Sequence, residues 1–376
     1  MLRWPCRSRP LRSSARPEGI KRRRQRLAPQ IRAPSSPLPL EKYKQSRNDL
    51  GHSRAVNNRR MTSSSVSTTL PADIRVFDRG WLSSTNIVCL GEEPALIDTS
   101  YVKHEVETVE LIRKTLNGAA LARIAHTHLH SDHCGGTHAL QRLWPNAQTW
   151  VPEASFEAAR VWDEEALTYR ATGQRCRRFR ADHAMAVGQT LRLGERDWQI
   201  HAAPGHDPLA VFLFDPRDRV LIAGDALWEQ GVGIIFPVID GAGGSDAFDA
   251  FEQTLDAIAA LQPEWVIPGH GTPIARGTGA LQRALAQARS RIEHFKQHPE
   301  SHALYAAKVF VKYELMDAGH RTWSELGAWM DRTPDLHRLH QQAAPATAWR
   351  EWAHGVVAGL ISKGALRDDG TQVSNV

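Results

Sequence analysis

The sequence contains few cysteines and no long apolar run. Four cysteines occur among 376 residues, widely spaced and without a CxxC pair: Cys6, Cys89, Cys134 and Cys176. This usage suits a reducing compartment rather than a disulfide-rich secreted protein, and we expect a cytoplasmic location. No stretch of about 18 apolar residues is present, so no transmembrane helix and no membrane partner are expected.

Acidic side chains are scarce in the first sixty residues. Residues 1–60 carry 17 Lys or Arg and 3 Asp or Glu, which leaves 30 basic and 38 acidic residues for 61–376. The segment is rich in Pro, Ser and Arg and poor in apolar side chains, so it cannot bury enough surface to fold alone. We therefore expect residues 1–70 to form a disordered basic extension.

Three interpretations of this extension compete. It could be a basic arm for nucleic acid, an Arg-rich transit peptide, or the product of an upstream start codon, with Met61 the native first residue. The third is favoured because Met61-Thr-Ser-Ser-Ser opens a short polar lead into the first strand. No apolar segment follows the arginines at the N-terminus, which argues against secretion.

Potential metal ligands are concentrated between Thr127 and Gly136, in T-H-L-H-S-D-H-C-G-G. The short apolar stretch 121–125 before it predicts a buried strand, and 138–143 after it predicts a helix. The motif thus lies on a strand-to-helix turn, where nearby side chains converge. The donors, all of types that bind divalent metals, are His128, His130, Asp132 and His133.

Further donors follow three apolar runs downstream. His206 stands in A-P-G-H-D-P after 198–202, Asp225 in A-G-D-A after 220–223, and His270 in I-P-G-H-G-T. Each sits where a predicted strand ends in a turn. A pair of metal ions needs such additional ligands, so these residues are predicted to join the cluster.

The order HxHxDH, PGH, GD and PGHG resembles the metallo-β-lactamase superfamily of hydrolases over residues 74–273. Composition alone predicts only an α/β or α+β protein, whereas the resemblance implies an αββα sandwich with metals at one sheet edge. It implies that Asp98, in A-L-I-D-T, steadies the ligands by hydrogen bonds. The implied ligands are His128, His130 and His206 for one metal, Asp132, His133 and His270 for the second, and Asp225 for both.

The resemblance also implies a chemistry. The aspartate at 225 resembles thioesterase, lactonase and phosphodiesterase branches, since antibiotic-hydrolysing relatives often have cysteine there. Two divalent ions, with zinc favoured and iron or manganese as alternatives, would lower the pKa of bound water to about 7. Asp132 or Asp225 would orient that nucleophile and pass a proton to the leaving group. The motif layout is most like hydroxyacylglutathione hydrolase, so a small acyl substrate is expected.

Two other activities remain open. An RNA or phosphodiester hydrolase is one alternative, and an iron-dependent persulfide dioxygenase, which shares the T-H-x-H-x-D-H and G-D-A-L strings, is the other. Those dioxygenases usually keep a single iron on two histidines and one aspartate. His270 argues for two metals and therefore for a hydrolase.

The chain divides into a catalytic region, 71–275, and a helical region, 276–376. Helices are predicted over 279–297, 301–316, 323–331 and 348–362, with a β-turn over 364–370. This order resembles the winged-helix module of some superfamily members. Because its basic residues are dispersed among acidic ones, a lid or dimer face is favoured over nucleic-acid binding. The oligomeric state stays open, with a dimer as one option.

Two segments of the catalytic region are candidates for lining the substrate site. The partly helical stretch 154–172 is predicted either to lie over the opening of the metal site or to have only a packing role. The glycine-rich loop 229–237 is a candidate pocket wall, because backbone without Cβ atoms can approach a ligand closely.

Overall fold

A computed structural model describes residues 69–239 and 244–376. The predicted basic extension up to residue 68, including Met61, lies outside the described residues. Within the two described ranges, no helix has the length and apolarity needed to cross a membrane.

Six strands form the first sheet, in the order β1-β2-β3-β4-β5-β6. β1, β2 and β3 pair antiparallel, and β3 to β6 pair in parallel. The strands are β1 Ile74–Phe77, β2 Asn86–Cys89, β3 Ala95–Ile97, β4 Arg123–Ala125, β5 Gln148–Pro152 and β6 His183–Met185.

A second six-stranded sheet has the order β12-β11-β10-β9-β8-β7. Its pairs are antiparallel except for β10 and β11, which are parallel. The strands are β7 Thr190–Leu193, β8 Arg196–Ala202, β9 Val211–Asp215, β10 Val220–Gly224, β11 Trp265–Pro268 and β12 Ile274–Ala275.

Helices of the sandwich region pack outside the two sheets or lie in their connections. They are α1 Glu105–Leu116, α2 Ser131–Cys134, α3 Thr137–Leu143, α4 Glu153–Val161, α5 Tyr169–Thr172, α6 Phe236–Ile239, α7 Gly244–Leu261 and α8 Ala280–Gln297. α1 and α3 cover the outer face of the first sheet. α7 and α8 cover that of the second.

The two sheets pack face to face over one apolar core. Alternate residues of β8, such as Trp198 and Ile200, point into it and meet Ile87 and Ile97 of the first sheet. This period-2 pattern is that of strands with one face against a partner sheet. The layers run helix, sheet, sheet, helix, which confirms the predicted αββα sandwich.

The C-terminal region contains four helices and a small sheet, and their apolar core also includes Ile234, Phe236 and Ile239 of the sandwich region. The elements are α9 Pro299–Ala318, β13 His320–Thr322, α10 Trp323–Arg332, α11 Pro334–Ala343, α12 Trp349–Ser362, β14 Leu366–Asp368 and β15 Gln372–Asn375. The sheet order is β13-β15-β14. The winged-helix interpretation and the boundary near residue 275 stay predictions.

Two elements of this region were not predicted, α11 and β13. Pro334 interrupts the helical pattern in the sequence, yet it occupies the first turn of α11, where a missing N–H costs nothing. β13 is only three residues long and pairs with β15 from the far end of the chain. Thr322 then caps α10 through a reciprocal hydrogen-bonded box with Glu325.

Candidate metal centre

The predicted donors meet because their strands end at the same edge of the sandwich. β8 and β10 are both antiparallel to β9, so they run in the same direction, and β11 is parallel to β10. His206 follows β8, Asp225 follows β10, and His270 follows β11. The turn after β4 brings the remaining donors to this edge from the first sheet.

That turn places four donors within one short segment. β4 ends at Ala125, extended backbone carries His128 and His130, and α2 begins at Ser131. Asp132 and His133 lie on this first helical turn. All seven predicted donors are buried, with at most 8% of any residue exposed.

The donors form three triads, and within each triad the donor atoms lie within 4.8 Å of one another. They are His128, His130 and His206; His128, His133 and Asp225; and Asp132, His133 and His270. The first and third match the two ligand sets expected from the resemblance. The structure thus brings together every residue predicted for the site.

Asp225 lies at the centre of this cluster. Its Oδ1 is 3.3 Å from His133 Nε2, and its Oδ2 is 3.4 Å from His206 Nε2 and 3.8 Å from His270 Nε2. Asp132 Oδ2 is 3.1 Å from His270 Nε2. The position of Asp225 between both sets is what a bridging role requires.

Asp98 lies behind the cluster and accepts hydrogen bonds from the turn Thr127–Gly136, called the metal turn below. Its Oδ1 accepts from the Thr127 backbone N–H at 3.0 Å, and its Oδ2 accepts from Thr127 Oγ1 at 2.9 Å. The same Oδ2 accepts from His133 Nδ1 at 2.8 Å. Because Nδ1 is held by Asp98, Nε2 of His133 points toward the cluster.

Burial keeps three of the histidines neutral. It lowers the pKa of His130 and of His206 to about 4, and it lowers that of His128 well below its usual value. Neighbouring imidazoles add to the effect at His128. At pH 7 these rings therefore offer lone pairs, as ligands to a cation must.

For His133 and for the carboxylates of Asp225 and Asp98, the pKa shifts instead favour the charged form. Burial opposes the charge on His133, but Asp225, Asp98 and Asp132 together raise its pKa well above its usual value. Burial likewise disfavours ionised Asp225 and Asp98. The charge of His133 and the contacts of the other neighbouring histidines together outweigh burial, holding the pKa of Asp225 well below its usual range and that of Asp98 at about 2.

The donor set fits divalent ions on its own geometry. His128 Nε2 and His133 Nε2 are buried and have no hydrogen-bond partner among the described residues. Buried polar atoms without a partner are costly, so such atoms need an explanation. Imidazole and carboxylate donors in buried triads suit zinc and similar ions.

Gly269, in the P-G-H-G turn, lets the backbone pack directly against the donor cluster. A Cβ there would overlap Asp225 Oδ1 and lie 2.8 Å from His133 Cε1. The backbone of Gly269 is fixed from both sides, since its N–H donates to Gly224 O at 2.7 Å and its carbonyl accepts from Thr85 N at 2.6 Å. Any side chain at 269 must therefore displace the cluster or the backbone.

Aromatic side chains around the cluster were not predicted. Trp228 Nε1 donates to Asp225 Oδ1 at 3.2 Å, three residues along the same turn. Trp81 stacks on His270 at 4.6 Å, and Phe236 packs against His130 at 4.3 Å. The G-D-A-L-W string contained a signal for Trp228, but nothing in the sequence pointed to Trp81.

A cavity of about 660 Å³ opens from the cluster. Gly233 and Ile234 of the predicted glycine-rich loop line it, as do Thr172 and Gly173 at the end of the 154–172 stretch. A further wall is formed by α9 of the helical region. The volume is typical of pockets for small molecules.

Two residues next to the donors in the sequence, His126 and Cys134, belong to none of the three triads. His126 Nε2 is 2.9 Å from Thr137 Oγ1. Cys134 is buried, with its Sγ 3.2 Å from the Tyr169 hydroxyl and 3.7 Å from Cys176 Sγ. Cys134 therefore packs against neighbouring side chains.

Residues 78–270 match the model of the Metallo-beta-lactamase superfamily, which is just over half of the chain. The chain belongs to the metallo-β-lactamase superfamily. The resemblance inferred from its motifs is thereby confirmed, while the C-terminal region lies outside the match.

Individual relatives are more distant. Hydroxyacylglutathione hydrolase from Rhodobacter capsulatus is 32% identical over 162 residues, covering 43% of this chain and 52% of the relative. Acyl-coenzyme A thioesterase MBLAC2 from Homo sapiens is 26% identical over 154 residues, covering 38% and 54%. The chain thus spans about half the length of these curated relatives.

Among solved structures, similarity extends to a metallo-beta-lactamase family protein from Thermus thermophilus. The TM-score is 0.47 at 20% sequence identity, and the alignment covers 82% of this chain and 100% of that chain.

Proposed function

We propose that this chain is a metal-dependent hydrolase of small acyl substrates: thioesters, esters or lactones. The observation that carries the proposal is the convergence of seven His and Asp side chains at the end of a mostly apolar cavity. Similarity to a hydroxyacylglutathione hydrolase and an acyl-coenzyme A thioesterase, both named for thioester substrates, supports an acyl substrate.

The ligands would divide as the triads do. His128, His130 and His206 would hold one ion, Asp132, His133 and His270 the other, and Asp225 both. Divalent ions there, with zinc favoured over iron or manganese, supply Lewis acidity and lower the pKa of a bound water to about 7.

The chain's own groups orient the reaction. Asp98 fixes the ring of His133, and the indole N–H of Trp228 fixes the carboxylate of Asp225. Asp132 Oδ2 faces His270, so Oδ1 is the oxygen proposed to accept the proton of the attacking water and pass it to the leaving group. The apolar walls exclude bulk water and strengthen these interactions.

The test is a substrate panel with purified, zinc-loaded protein. We expect hydrolysis of a simple acyl thioester or p-nitrophenyl ester, loss of activity with a chelator, and recovery on adding metal. Asp132→Asn should lower kcat by about 10²- to 10⁴-fold with an intact circular dichroism spectrum. Protein that binds two ions yet cleaves no thioester, ester or lactone would overturn the proposal.

The same panel separates the alternatives. Cleavage of bis(p-nitrophenyl) phosphate without acyl hydrolysis would favour a phosphodiester hydrolase. Oxygen consumption with a persulfide, by protein that holds one iron per chain, would favour the dioxygenase. The apolar cavity walls favour an acyl group over a polyanionic nucleic acid.

A further inference from the structure

α9 has two distinct stripes, of which one is apolar and the other combines apolar and charged side chains. One stripe, including Ala303, Ala307 and Val311, packs into the C-terminal core. The other faces the cavity at helical spacing and consists of Tyr305, Lys308, Val309, Lys312, Tyr313 and Met316. From Tyr305 to Met316 the helix presents about 16 Å of wall at 1.5 Å per residue. A wall of this length can contact a substrate well beyond its reacting carbonyl group.

The charged side chains of α9 at the cavity differ in whether they have a hydrogen-bond or ion-pair partner. The carboxylate of Glu314 accepts from Arg321 at 2.7 and 3.0 Å, and that of Asp317 accepts from the Tyr101 hydroxyl at 2.8 Å. Lys312 donates to Ala365 O at 2.6 Å. Lys308 has no hydrogen bond or ion pair with any residue in the described part of the chain.

The ammonium group of Lys308 is partly desolvated. Burial lowers the pKa of Lys308, and the positive charge of Lys363 lowers it further. A partly desolvated cation without a counter-charge carries part of the cost of burying a charge, and an anion supplied by a ligand relieves that cost. The unmatched charge on this cavity wall is therefore positive.

We infer that the cavity takes an anionic acyl substrate: an apolar body lies against α9, the reacting carbonyl lies at the donor cluster, and a carboxylate or similar anion pairs with Lys308. The inference rests on the proposed function for the position of the carbonyl. Lys308 is then a specificity-determining residue, and its contribution is to binding the anion.

Binding can be measured separately from turnover with non-hydrolysable thioethers. S-hexyl-N-acetylcysteine and S-hexyl-N-acetylcysteamine differ only in one carboxylate. Titration calorimetry with the metal-loaded protein gives the ratio of their Kd values. We expect the carboxylated compound to bind about tenfold more tightly, the lower end of what a charge-assisted hydrogen bond gives.

Variants assign the preference to one side chain. Lys308→Met keeps the aliphatic stem and should reduce the Kd ratio to about twofold or less, whereas Lys308→Arg should retain most of it. Lys114→Met, at an exposed lysine of α1 that does not line the cavity, is the matched control and should keep the ratio.

Two outcomes would overturn the inference: equal Kd values for both thioethers in the wild-type protein, or an unchanged ratio in Lys308→Met. Hydrolysis of the corresponding S-hexanoyl thioesters, followed in parallel, tests the proposed function on its own. A clear Kd ratio without any hydrolysis would retain the anion site and reject the acyl hydrolase.

Discussion

Gly269→Ala tests whether the turn at Gly269 sets the geometry of the donor cluster. The added methyl would overlap Asp225 Oδ1 and lie 2.8 Å from His133 Cε1 and 2.9 Å from the carbonyl carbon of Gly224. The φ angle of Gly269 is outside the left-handed region, so the substitution acts through crowding alone. The strain must fall on the cluster or on the backbone that supports it.

The magnitude follows from the cost of overpacking. An extra methyl in a well-packed site costs about 1–3 kcal/mol. If the cluster absorbs this cost, metal affinity falls by about 5- to 150-fold. Gly277→Ala is the control, because a Cβ there would have no heavy atom within 4 Å.

Competition with a chromophoric chelator measures the metal affinity. Urea unfolding of the metal-free proteins measures how far the added methyl lowers the free energy of unfolding. We expect weaker metal binding in Gly269→Ala and wild-type values in Gly277→Ala. Wild-type metal affinity together with wild-type stability in Gly269→Ala would refute this account of the turn.

Three further predictions concern the scaffold and the site. Arg196→Met should lower the free energy of unfolding by about 3–5 kcal/mol, because it leaves the buried carboxylate of Asp215 without its partner. Arg192→Met, at a surface ion pair, should cost under about 1 kcal/mol in the same urea titration. The hydrogen bond from Arg196 lowers the pKa of Asp73 below its unfolded value, so stability is lost as pH falls below about 4, and Asp73→Asn should show a shallower decline between pH 5 and 3. Trp228→Phe removes the N–H bonded to the central carboxylate and should weaken metal binding by about 10- to 100-fold; wild-type affinity would contradict an orienting role.

The donor cluster was predictable because each donor follows a strand end marked by local signals. Apolar runs fix the strands, and Pro-Gly or Gly turns fix where they stop, so His206, Asp225 and His270 could be placed from short windows. The resemblance supplied the pairing of the sheets, which composition could not. Asp98 was found the same way, and its three hydrogen bonds to the metal turn give it a physical role.

The cavity wall could not be predicted in this way. Lys308 lies 172 residues after Gly136, the end of the metal turn, on a helix whose apolar residues look like ordinary core in the sequence. Its role depends on which neighbouring charges are already paired, and that depends on tertiary contacts such as Glu314 with Arg321. The stacking of Trp81 on His270 is likewise a long-range contact without a sequence signature.

Metal content tests the central claim most directly, namely that seven side chains hold a pair of divalent ions. Inductively coupled plasma mass spectrometry should find about two ions per chain after zinc loading and desalting. Asp225→Ala should retain less than half of that metal, while His138→Ala, on α3 outside the donor set, should retain all of it. Protein without bound metal, or equal metal content in both variants, would contradict the claim.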